Sequence, residues 1–168
     1  TVLSRGLGDV YKRQTLDSRF MDKLTPLDPD ARLFYEDPAY SPNGNLLAAP
    51  YMIFRQEHGI QFWNPSSGKT VGSLQFGDQH GFVCFSPSRP LVAAVAGRNL
   101  GIWKYHLEHP NVSGESRLSL ELVKHIHLDQ DGRWIGFHPR LNQLAWTEDA
   151  TKSENPEVNL LDVESVSY

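Results

Sequence analysis

Three widely spaced triplets of the form Tyr/Phe-x-Pro mark the chain: Tyr40-Ser41-Pro42, Phe85-Ser86-Pro87 and Phe137-His138-Pro139. The prolines stand 45 and 52 residues apart. Proline locks φ and has no N–H to give to a ladder, so each triplet ends one extended segment and opens a turn. An apolar strand-length run follows each turn: Leu46 to Ala49, Leu91 to Ala96, and Gln143 to Thr147. A turn repeated on this spacing restricts the chain to a repetitive architecture, in which each unit is stabilised by stacking on its neighbours.

The middle unit is the most regular. Gly81 to Phe85, Leu91 to Ala96 and Leu100 to Tyr105 read as strands; His106 to Arg117 is a polar insertion; Leu118 to Ile126 alternates as a fourth strand. In the first unit, Leu33 to Tyr35 and Ala39-Tyr40 lead into the turn. Leu46 to Ala49, Ile60 to Trp63 and Thr70 to Phe76 read as strands, separated by polar turns at Gln56 to Gly59 and Asn64 to Lys69. In the third, Arg133 to Phe137, Gln143 to Thr147 and Val158 to Val163 read as strands, with a charged loop over Glu148 to Glu157. A period of about 40–45 residues with four short strands per unit is the signature of a propeller blade. The expected fold is all-β: about three four-stranded antiparallel blades of an incomplete ring, near 33–76, 77–128 and 129–165.

Tyr40-Ser41-Pro42-Asn43-Gly44-Asn45-Leu46-Leu47-Ala48 resembles the Phe-Ser-Pro-Asp-Gly…Leu-Ala segment of WD-repeat β-propellers. Ile60 to Lys69 resembles that family's Trp-Asp strand and Thr-Gly-Lys turn, and Leu160 to Ser165 is similar to the same strand with Leu161 in the Trp place. The departures are specific. Asn64 and Lys104 follow Trp63 and Trp103 where Asp is usual, Gly77…His80-Gly81 is a stretched version of the Gly-His pair, and Asn99 stands nearest to the expected turn Asp. These departures argue against the family's buried Asp-His-Ser-Trp network. The resemblance spans 33–165. It implies a non-catalytic scaffold that mediates protein–protein interaction through loop-bearing faces, with the insertions at 106–117 and 148–157 as contact candidates. The alternative is a propeller region of a larger enzyme, such as a bacterial serine/threonine protein kinase, or the gating propeller of a peptidase. Kinase motifs upstream or a Gly-x-Ser-x-Gly downstream would mark these.

Residues 2–14 resemble translated sequencing-adapter read-through of metagenomic origin, and Val166-Ser167-Tyr168 resembles the matching adapter end; both are set aside from fold reasoning. The divisions are then 1–14 non-native, 15–32 linker or lead-in, 33–165 partial propeller and 166–168 non-native tail. Gly6-Leu7-Gly8 lacks the third glycine, strand and helix of a phosphate loop. The 168 residues carry 39% hydrophobic and 21% charged side chains, in the range of a soluble globular protein. A net charge of −4 argues against general nucleic-acid binding, and no apolar run is long enough for a membrane span. The single cysteine, Cys84, excludes an intrachain disulfide, reads as a core residue, and favours a reducing, cytoplasmic compartment.

Few residues invite a chemical role. His125-x-His127, with Asp129 and Asp131 beyond, could offer imidazoles and carboxylates to zinc, but no third and fourth ligand is set by spacing. Asp129-Gln130-Asp131-Gly132 resembles part of a calcium loop without its downstream Glu, and reads as a turn. Ser86 lacks a glycine-flanked elbow and a base, and reads as a turn residue. Trp63, Trp103, Trp134 and Trp146 read as packing between sheets. The expectation is therefore no catalytic, cofactor-binding or metal residue and no cofactor. The expected partners are proteins rather than nucleic acid or membrane, and a partial ring would associate through its open blade faces.

Overall fold

The computed structural model describes residues 37–53, 57–76, 81–108, 116–149 and 157–163. The adapter-like segments, the linker at 15–32, Leu33 to Tyr35, and residues 109–115 and 150–156 of the two insertions lie outside them. Eleven strands form three antiparallel sheets. The first comprises β1 (Ala39–Tyr40), β2 (Leu47–Ile53), β3 (Glu57–Trp63) and β4 (Thr70–Gln75). The second comprises β5 (Gly81–Phe85), β6 (Leu91–Ala96), β7 (Asn99–Glu108) and β8 (Arg117–His127). The third comprises β9 (Gly132–Phe137), β10 (Gln143–Glu148) and β11 (Val158–Asp162). Within each, neighbours in sequence are neighbours in the sheet. Such meanders close with tight turns, and the turns carry the repeat.

Each of the three aromatic-x-Pro turns closes with the same backbone bond across five residues: Ser41 N to Leu46 O, Ser86 N to Leu91 O, and His138 N to Gln143 O, at 2.9, 2.9 and 2.8 Å. The middle residue of each triplet also folds its side chain back onto the turn. Ser86 Oγ accepts the N–H of Ser88 and Arg89, His138 Nδ1 accepts those of Arg140 and Leu141, and Ser41 Oγ accepts that of Leu46. Serine and histidine thus do one job: they satisfy turn N–H groups that no ladder reaches. The closures align the sheets residue by residue, so Leu47, Val92 and Leu144 are equivalent. Their cross-strand partners Trp63, Trp103 and Leu161 are equivalent too.

The sheets stack face to face. Leu46, Ala48, Ile60 and Phe62 of the first meet Val83, Phe85, Val92, Ala94 and Trp103 of the second. Leu91, Ala93, Val95, Leu100 and Ile102, on the opposite face of the second, meet Ile135, Leu144 and Trp146 of the third. Strand β6 is buried along its whole length because both of its faces are covered, which is why it reads as a continuous apolar run rather than an alternation. Alanines at 93 and 94 leave room on either side for larger residues from the neighbours.

Several strands differ from the sequence reading. Glu57 to Gly59, read as turn, begins β3, and β2 continues through Pro50 to Ile53. The bonding alternation points Pro50 toward the β1 side, beyond the two residues of β1, so its missing N–H breaks no ladder bond. The expected insertion at 106–117 is strand at both ends: Leu107 pairs with Leu118 and Glu108 with Arg117. Leu122 does not continue the buried alternation of Leu118 and Leu120; it is 57% exposed. A bulge opposite Ile102 and Trp103 leaves Val123 as the extra residue and reverses the phase, so Ile126 packs toward the third sheet. A bulge at the equivalent Phe62 and Trp63 leaves Val71 extra in the first sheet.

Three tryptophans are buried, but Trp134 is 51% exposed, against expectation. It lies on the outer face of the third sheet, over Gly136, in a row with Val158 and Leu160, 61% and 65% exposed. The equivalent faces of the first two sheets are covered by the next sheet. At the other end, Leu47, Ala49, Gln61 and Trp63 are buried. Trp103 lies over Gly101 on its own strand, where any Cβ would overlap the indole ring, and the ring is held edge-on by Phe76 at 4.8 Å. Gly101→Ala is expected to cost about 1–3 kcal/mol by overpacking a ring that has nowhere to turn. Urea unfolding followed by Trp fluorescence measures this, and an unchanged midpoint would show that Trp103 can move aside.

Candidate interaction surface

The side chains singled out from sequence do not converge. Ser86 is buried and its Oγ is occupied by the two turn N–H groups, so it serves the turn rather than a substrate. His125 and His127 share the face of β8 that looks toward the first sheet, as expected; His125 Nε2 lies 3.1 Å from Asn99 Oδ1 and the ring meets Phe76 edge-on. Asp131 sits 3.9 Å from Arg98 instead of beside the imidazoles. Among the described residues no group of three His, Cys, Asp or Glu could hold a metal ion. Cys84 keeps some solvent contact but packs against the second interface. Burial around its thiol pushes its pKa up to about 12, opposed by a hydrogen bond with the Phe137 backbone.

Asp129 to Gly132 is the link from the second sheet to the third, and its bonds are structural. Leu128 N donates to Arg98 O and Gly132 N to Gly97 O, both 2.8 Å, which ties the link to the β6–β7 turn. Gly97 has φ of 55°, so the turn needs a residue without a Cβ. Glu148, at the end of β10, joins the link to the third sheet. Its Oε2 accepts Gln130 N at 2.9 Å, while Oε1 accepts Trp146 Nε1 and Asn159 Nδ2, each at 3.2 Å. Beside it the guanidinium of Arg133 donates to Asp149; that bond holds the Asp149 carboxyl below the usual range and raises Arg133. So the start of the expected 148–157 loop is an anchored corner. No local pattern signals this corner, because nothing marks Glu148 apart from its neighbouring acids.

The opposite end of the second sheet carries a different surface. Beyond Leu91, its last partner on β6, strand β7 has only Pro90 O to accept the Tyr105 N–H at 2.9 Å, and it then continues paired with β8 alone. This long hairpin leans on the first sheet: Leu107, Leu118 and Leu120 pack with Val71 and Leu74, and Leu118 lies against Gly72. A cleft of about 430 Å³ opens between the hairpin and the turns Pro42 to Asn45 and Pro87 to Pro90. Tyr105 lines it, its ring edge-on to Phe85 at 5.4 Å, and burial raises the phenol so that it stays a donor. The alternation of Tyr105 and Leu107 against His106 and Glu108 was the available sign that the strand continues.

No family model and no curated protein matches the chain. Among solved structures, the Cps50 (Swd1) β-propeller domain of Myceliophteria thermophila matches 92% of this chain at 13% identity and a TM-score of 0.59. Hydrazine synthase of Kuenenia stuttgartiensis matches 78% at 15% identity and a TM-score of 0.58. The leech intramolecular trans-sialidase matches 81% at 10% identity and a TM-score of 0.51. The chain spans 45%, 34% and 24% of those chains, respectively.

Glu148→Ala is expected to destabilise the chain by about 1–3 kcal/mol, since it strips the acceptor from two part-buried donors and from the link. Glu148→Gln, which keeps one carbonyl, should lose less; equal losses would assign the effect to charge rather than to hydrogen bonding. Cys84 should resist alkylation at neutral pH and react only as fast as the chain unfolds; rapid labelling of the folded chain would contradict its burial. With repeated turn closures, sheets covered on successive faces and these structural neighbours, the fold is that of a β-propeller, and the described residues form three consecutive sheets that do not close a ring.

Proposed function

We propose that the chain is a WD-repeat-type scaffold region that binds other proteins and performs no chemistry of its own. The observation that carries this reading is the β7–β8 hairpin. A stack packed on both faces of its middle sheet holds a protruding pair of strands, β7 and β8, that run on paired with each other past the end of β6. The arrangement of polar side chains supports it too: Ser86 bonds a turn, Glu148 bonds a link, and His125 Nε2 lies against Asn99 of the neighbouring strand.

Two of the structural neighbours are named as enzymes and are much longer than this chain. The second reading, a propeller region attached to a catalytic domain, therefore stands beside the first for the whole protein.

A photo-crosslinking residue at Glu108 or Arg117, flanking the hairpin tip, is expected to trap a discrete protein when the native gene is expressed in its host. The same residue at Arg140, on the third sheet, should not. Adducts that are absent, or the same from both places, would sink the reading. The exposed row on the third sheet should also drive self-association of this chain. Leu160→Lys is expected to lower the mass seen by light scattering toward the monomer while leaving the β-sheet circular dichroism unchanged; no change in mass would remove that face from the account.

A further inference from the structure

We propose that the outer face of the third sheet pairs with the same face of a second copy, so that the chain forms a closed twofold dimer. The inference deepens the self-association read above and rests on it: that reading says the face associates, this one says with what and to what limit.

The repeat shows what the face is built for. The turn closures allow position-by-position comparison of the sheets. Ile60 and Phe62 of β3, and Leu100 and Ile102 of β7, are at most 1% exposed, because the following sheet covers them. Their equivalents on β11 are Val158 and Leu160, apolar again but mostly exposed. The alanine beside them recurs too, as Ala48, Ala93 and Ala145. Trp134 completes the face from β9, and its ring lies over Gly136. With Ala145 and Thr147 on the central strand, the middle of the face is low, as sheet-on-sheet packing requires. Among the described residues the other exposed large apolar side chains, Tyr40, Leu122 and Leu141, lie apart on β1, β8 and the third turn. Three short strands offer less than the roughly 800 Å² a side of a standard interface, so the pairing is weak and exchanges readily.

The partner follows from what else the chain has to offer. By the repeat, an outer face is met by the surface that the next sheet turns back to it: Val92, Ala94 and Trp103 in the second sheet, Leu144, Trp146 and Leu161 in the third. In the first sheet that surface is Leu47, Ala49 and Trp63, and all three are 0% exposed. A head-to-tail contact, which would run on as a filament, finds its acceptor already covered. The outer face itself is exposed on every copy. Two such sheets pack about 10 Å apart, and a twofold axis between them lets one surface serve both partners. The contact closes at two chains and places two β7–β8 hairpins on one particle, which raises avidity for a partner that offers two sites.

Sedimentation of the full chain over a concentration series should approach twice the chain mass and stop there. Trp63, Trp103 and Trp146 are buried, so acrylamide quenching reports Trp134. Quenching should weaken as the chain is concentrated, and Trp134→Phe should remove the change. Leu160→Lys should stay at one chain mass with unchanged circular dichroism. Dye-labelled Leu160→Lys titrated with unlabelled wild type then decides the symmetry. In a twofold pairing the variant has lost the one face it can use, so it should bind at least about tenfold more weakly than labelled wild type does. In a head-to-tail pairing its other face is intact, and it should bind as wild type does. Capture of the variant at wild-type strength, or mass that grows past two chains, would overturn the twofold dimer and leave the face as a site of association. A Leu160→Lys chain no lighter than wild type, or wild type at one chain mass throughout, would reject both. Trp134 shielded by an extract of the native host but not by the chain itself would give the face to a foreign partner instead.

Discussion

The structure depends on the burial of β6 from both sides. A sheet in this chain has two apolar faces, and one neighbour can cover only one of them. The second sheet has both, and its middle strand, Leu91 to Ala96, is nowhere more than 2% exposed. At roughly 25 cal/mol for each Å² of apolar surface removed from water, the side chains of that strand and those meeting it outweigh any single polar contact in the molecule. The buried polar side chains of the stack are bonded: Ser41 and Ser86 in turns, Gln61 Nε2 on Thr70 Oγ1 at 3.0 Å; the part-buried His58 of β3 leaves Nδ1 without a partner among the described residues. The stack is strongest at its centre and least protected at the outer face of the third sheet.

Face-to-face burial requires a register, because a slip of one residue sends every apolar side chain of a strand to the wrong face. The triplet turns supply it. One backbone bond across five residues places Leu46, Leu91 and Gln143 at equivalent starts, and every ladder bond downstream follows from that start. The requirement is an acceptor at the middle position, not a serine. That is why His138 can replace the two serines although its chemistry in other settings is quite different. The bulges at Trp63 and Trp103 belong to the same logic. Each adds one residue to the fourth strand, so the outer strand changes phase where it leaves the core.

What the sequence disclosed was what is periodic. The triplets, the apolar run of β6 and the Trp103 strand all appear as pattern, since burial on two faces leaves a composition that turns and loops lack. The ends of strands were harder. Pro50 and Glu57 look like breakers, and both sit in strands, because the adjoining edge is open at Pro50 and because β3 starts opposite Ile53. His106 to Glu108 looked polar because half of a hairpin edge faces water; the strand shows only in Tyr105 and Leu107. Leu122 misled in the other direction, since a bulge cannot be seen in a leucine alternation. Of the candidate surface, the hairpin was legible as an insertion, but the groove was not. It arises from two turns 45 residues apart coming together, and no local pattern records that meeting.

The asymmetry between the sheets is what the repeat does not explain. All three share the turn and the stacking faces, so those features answer to the fold alone. Among the described residues, the second alone has strands of 10 and 11 residues, about twice the length that stacking uses. A strand longer than its sheet presents backbone and side chains to water and adds little to the core unless something else is covered. Part of the excess is covered by the first sheet, through Leu107, Leu118 and Leu120. This contact is not needed to hold the stack together, since the face below it is already joined by Phe62, Val92 and Trp103. What it does is hold the hairpin at a fixed angle beside the proline-walled turns. A groove made this way keeps its shape as long as the three leucines stay packed.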